Sequence, residues 1–84
     1  MKADGAFQSA VRRVVLEVTG RGDRVRVTHT LATLGWGDVL FVDVYARSGP
    51  GSRAEDLDPE LRKTVAVVAE QPYERVAIRW RISA

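Results

Sequence analysis

One histidine, eleven carboxylates and thirteen Lys or Arg side chains carry the chemistry of this 84-residue chain, and cysteine is absent. Without thiols there are no disulfides, no thiolate nucleophiles and no cysteine zinc sites. His29 is therefore the one imidazole able to ligate a metal or move a proton. A stable zinc site takes about four ligands, so His29 needs help, from Asp43 and from a second copy of itself across a twofold axis. Strict alternation groups His29 with Val25, Val27 and Leu31 on an apolar face. That makes it a packed side chain with one hydrogen bond. A bulge would turn it outward and free it as a ligand. His29 and Asp43 are the metal candidates, for a weakly bound divalent, zinc-like cation or for none.

Arg75, Arg79 and Arg81 form a basic stripe near the C-terminus. Such a stripe contacts phosphate, an acidic lipid headgroup or an acidic partner, or it is a solvated face paired with Asp and Glu. Trp36 sits in the turn Gly35-Trp36-Gly37-Asp38, where it either anchors a partner or caps the core. Trp80 alternates with Ile78 and Ile82 and reads as core. Arg21-Gly22-Asp23 reads as a turn before a strand. No serine occupies a nucleophile-elbow setting. Gly49-Pro50-Gly51-Ser52 lacks the lysine and context of a phosphate loop. Nothing groups into a catalytic site, so the chain reads as non-enzymatic.

These residues must be positioned by a few short elements. Phe7, Ala10, Val11, Val14, Val15 and Val18 recur at helical spacing, with Gln8, Ser9, Arg12 and Arg13 opposite. A helix over 5–19 follows, capped by Asp4 and stopped by a left-handed Gly20. Valine is a poor helix former, so a strand over Val14–Thr19, turning through Gly20 to Asp23, is the alternative. Residues 24–31 and 38–46 read as two strands of an antiparallel hairpin with a loop of about five residues. Ser48-Gly49-Pro50-Gly51-Ser52 is a loop. Asp58 as N-cap and Pro59 at the first position start a helix over 58–70. Its stripe is Leu61, Val65 and Val68, and it ends before Pro72. Residues 75–83 alternate as a last strand. The expected fold is an α+β two-layer sandwich in the order α-β-β-α-β. It has a three-stranded mixed sheet, two helices on one face, and a bare opposite face.

An apolar fraction of 45% and a charged fraction of 29% are globular values. The length fits one domain, 1–84, with a core modest enough to want a partner subunit. No apolar run nears the roughly 18 residues that cross a bilayer, and no secretory signal is apparent at the N-terminus. The formal charge of +2 does not by itself imply nucleic acid.

The run from His29 through Gly35-Trp36-Gly37-Asp38 to Phe41-Val42-Asp43-Val44-Tyr45 resembles the cytoplasmic C-terminal domain of cation diffusion facilitator (cation efflux) transporters. That family carries a valine-histidine-aspartate-leucine-arginine strand. A glycine-containing turn follows, and then a phenylalanine-valine-aspartate-valine-histidine strand. Val14-Val15-Leu16-Glu17-Val18-Thr19-Gly20 is similar to the end of its first helix. The resemblance implies a ferredoxin-like or metallochaperone-like fold, a homodimer, and a cation held on the open face of the sheet and in the second helix. Only His29 carries over as a ligand. Tyr45 stands where a second histidine belongs, and Arg79 and Arg81 lie near where the last strand supplies a histidine and an acid. A guanidinium repels a cation, so the metal site is largely erased. Asp58 and Glu60 are the remaining stand-ins.

The function expected is that of a homodimerising cytoplasmic domain of the cation-efflux type, with a reduced or absent metal site. It is either part of a membrane transporter or a stand-alone relative. Tyr45, Arg79, Arg81 and Trp36 are its partner-binding candidates. The alternative is a small nucleic-acid-binding domain using the arginine-rich strand.

Overall fold

The structure is a computed structural model describing residues 4–20, 25–48 and 54–83. The turn at Arg21-Gly22-Asp23 and the loop at Gly49-Pro50-Gly51-Ser52 lie outside the described residues.

Helix α1 spans Gly5–Gly20. Asp4 caps it, its Oδ1 accepting the Phe7 N–H at 2.9 Å. Val11, Val14, Val15 and Val18 are buried along one stripe. Their packing outweighs the poor intrinsic propensity of valine, and the extended alternative over Val14–Thr19 is not adopted. Gly20 is not the expected left-handed stop. It is the last helical residue, and the described glycine with positive φ is Gly37, at 68°.

Strand β1 (Val25–Leu34) pairs antiparallel with β2 (Leu40–Ser48) across a five-residue connection, 35–39. A turn of 3-10 helix at Ala54–Leu57 leads into helix α2 (Asp58–Ala69). Strand β3 (Val76–Ser83) then pairs parallel to β2, giving the sheet order β1-β2-β3. Both helices pack on the same side, over Val42 and Val44 of the central strand and Val76 of β3. The fold is thus the expected two-layer α+β sandwich with a three-stranded mixed sheet.

Three further local expectations meet a different outcome for identifiable reasons. Asp58 does not cap α2. Leu57 holds the cap position, and the Asp58 carboxylate accepts the Trp80 Nε1–H at 2.9 Å, tying β3 to the start of the helix. The α2 stripe is Leu61, Val65 and Ala66, whereas Val68 is exposed. The short side chains of Ala66 and Ala69 turn toward the core and rotate Val68 outward. Finally, the register of β1 shifts between Val27 and His29. Before this bulge Val25 and Val27 pack on the core, and after it Thr30 and Ala32 are the buried residues. His29 therefore points away from the apolar face on which simple alternation places it.

Gln8, read as a polar surface residue, also has a structural task. Its amide donates to Ala32 O at 2.7 Å and accepts from Ala32 N–H at 2.8 Å. The pair pins the first turn of α1 to the edge of β1.

Candidate functional site

Register and alternation place the functional candidates on the sheet face opposite the helices, in four rows. Arg26 lies opposite Arg47. His29 lies opposite Tyr45, which pairs with Arg81. Leu31, Asp43 and Arg79 form the next row, and Thr33, Phe41 and Ala77 the last. No described helix covers this face. Every charged residue of the three described strands is on it, because the other face is filled by aliphatic side chains with Thr30 and Trp80.

Asp43 is the centre of this face and only 4% exposed. Arginines bury it. Arg79 binds it at two points, Nε to Oδ1 at 2.8 Å and Nη2 to Oδ2 at 2.9 Å. Arg81 approaches Oδ1 through Nε at 3.5 Å. Two-point guanidinium–carboxylate geometry is among the stronger ionic contacts in proteins. The Arg79 guanidinium also lies over the Phe41 ring, 4.6 Å from its centroid. Phe41 in turn closes over the hairpin connection: a Cβ added at Gly35 would stand 2.5 Å from its Cε2. Glycine at position 35 thus lets the ring lie flat under the arginine.

His29 is exposed, with its ring centroid 5.6 Å from that of Tyr45 and tilted by 44°. The bulge residue Thr28 donates its hydroxyl to Tyr45 O at 3.1 Å. His29 and Asp43 do share a face, as a metal site would require. The donor set nevertheless does not fit a cation. Asp43 has both oxygens on Arg79, and a metal beside it would meet two guanidiniums. Among the described residues no three His, Cys, Asp or Glu side chains group together. Asp58, one of the stand-ins from the second helix, is engaged with Trp80.

The basic stripe is paired with carboxylates, the second of the two readings its sequence allowed. Arg75 reaches Asp38 at 3.5 Å, while Arg79 and Arg81 both turn to Asp43. Trp36 does not cap the core. It is 96% exposed at the tip of the hairpin, apart from the cluster formed by His29, Asp43, Tyr45, Arg79 and Arg81. One charged face residue escaped the sequence reading, Arg47, which alternation counted on from Tyr45 would find. Arg26 lies on the polar face that alternation with Val25 and Val27 gives it, and the bulge brings His29 to the same side.

No family model matches the sequence, and no curated protein matches it either. Solved structures do match in fold. A doubly substituted MamM-CTD is 23% identical with a TM-score of 0.50, covering 95% of this chain and 96% of the other. A singly substituted MamM-CTD is 24% identical with a TM-score of 0.47, covering 90% and 96%. MamM-CTD is the C-terminal domain of a cation diffusion facilitator transporter. The present chain has the ferredoxin-like fold of that domain, in the order the resemblance of its hairpin implies.

Proposed function

We propose that this chain is a non-enzymatic, homodimerising cytoplasmic domain of the cation-efflux type, in which internal ion pairs replace most of the metal site. The observation that carries the proposal is the sheet face opposite the helices. It bears Tyr45 and the half-buried Leu31 and Phe41, with no described element over them. A chain of this length gains much from burying such a face against a second copy. Association through the face would set His29, Tyr45 and Arg81 of each protomer near the twofold axis. The shared fold of MamM-CTD supports the reading. Asp43 held by Arg79 supports the reduced metal site. The role that follows is binding and regulation, and no residue is assigned to bond-making.

Light scattering should return twice the 9.3 kDa chain mass at high micromolar concentration, and Tyr45→Asp should return the monomer. A wild-type monomer at that concentration sinks the dimer. Calorimetric titration with zinc should show no submicromolar site, and the residual binding should vanish in His29→Ala. Submicromolar binding that survives His29→Ala would put the metal on other residues.

A further inference from the structure

We propose that the end of the open face carrying Arg26, His29, Tyr45, Arg47 and Arg81 binds a phosphate-class oxyanion. The site shares His29, Tyr45 and Arg81 with the face proposed above for the dimer, so the oxyanion and a second copy of the chain compete for it. Charge comes first: the three strands place four arginines and one aspartate on this face, a formal +3, where the whole chain carries +2. That excess is not spread evenly. Asp43 answers Arg79 at two points and touches Arg81 only through Nε, so the terminal nitrogens of Arg81 remain available. Arg26 and Arg47 stand directly opposite each other on neighbouring strands. Like charges directly opposite destabilise a sheet. Among the described residues neither forms an ion pair, and the described strands bring no carboxylate to that end of the face.

The rest of the site supplies what a phosphate needs. The next row holds the exposed His29 imidazole, the Tyr45 hydroxyl and Arg81, all on the same side as the arginine pair. The two rows are about 7 Å apart along the strand, and three strands span about 10 Å. A patch of that size suits one or two phosphoryl groups, not a long polyanion. Planar guanidiniums match phosphate oxygens in pairs, and the hydroxyl adds a neutral donor. The bulge assembles the site. Without its register shift His29 would fall on the helix side, out of line with Tyr45 and Arg81.

The probe is inorganic pyrophosphate, titrated into the full chain and followed by backbone amide shifts. Saturable shifts should centre on residues 26, 29, 45, 47 and 81. Arg47→Gln and Arg81→Gln should each weaken binding by about tenfold or more, the loss of one charge-assisted hydrogen bond, while the amide spectrum stays folded. Arg12→Gln and Arg13→Gln, on the outer side of α1, should leave it unchanged. Pyrophosphate should also raise the melting temperature of the wild type more than that of Arg47→Gln. A vesicle arm separates the sources. Sedimentation with phosphatidylglycerol vesicles, lost in Arg47→Gln, supports a lipid headgroup, and its absence beside pyrophosphate binding supports a soluble phosphate ester. Shifts that scatter over α1, or that survive both substitutions, overturn the proposal. So does tight binding of single-stranded RNA with no saturable response to pyrophosphate.

Discussion

At the middle of the central strand β2, neighbouring residues are buried on opposite sides by opposite means. Toward the helices, Val42 and Val44 are fully buried among apolar side chains. Toward the other side, Asp43 is almost as well hidden, but by the arginines of β3. The first face is held by area removed from water, which is non-directional and tolerant of similar shapes. The second is held by geometry and charge, which require these partners at these distances. One face therefore stabilises the fold, while the other sets what can approach it.

Substitutions on each side test this division. Leu61→Ala removes a fully buried α2 side chain that packs on the helix face. It should cost about 2–5 kcal/mol in urea denaturation, a large part of the total for a domain of this size. A loss under about 1 kcal/mol would show that the helix layer does not carry the stability. Asp43→Ala should cost less, about 1–2 kcal/mol. It strands two guanidiniums, but Arg79 is 45% and Arg81 53% exposed, and water screens them. A double-mutant cycle with Arg79→Ala should return a coupling near 1 kcal/mol. Zero coupling would mean that the two-point contact contributes nothing. Trp36→Ala touches neither face and should change stability by less than about 0.5 kcal/mol. It should remove the more acrylamide-accessible part of the tryptophan fluorescence, leaving Trp80. A larger stability change would place Trp36 in a contact with the body of the domain.

The same division explains what could be read from the sequence. The α1 stripe was legible because helical spacing survives even where the residues are valines. The strand over 38–46 was legible from its run of branched and aromatic residues. For His29 alternation gave the apolar face and a bulge the outward one, and the sequence could not choose between them, because a bulge leaves no mark in a run such as Val25-Arg26-Val27-Thr28-His29. The bulge adds a residue without changing the types around it. Val68 was misjudged because periodicity counts side chains by polarity and not by size, and alanines decided how α2 sits. Asp58 looked like a cap because aspartate before proline usually is one. A tryptophan distant in sequence claimed its carboxylate instead. The ion pairs on the open face lay beyond pattern reading, since Asp43 and Arg79 are joined only by the parallel register.

Gln8 has a consequence for how these molecules behave in a crowd. β1 is an outer strand, and Ala32 presents its N–H and C=O outward. An outer strand with free backbone groups is a template on which another chain can extend the sheet. A glutamine side chain has the same donor and acceptor as a peptide unit, so at Ala32 it occupies the place of a foreign strand. Farther along, the bulge at Val27/His29 breaks the regular spacing a foreign strand would have to match. Between them, a side-chain amide and an extra residue protect one border of the sheet against runaway polymerisation.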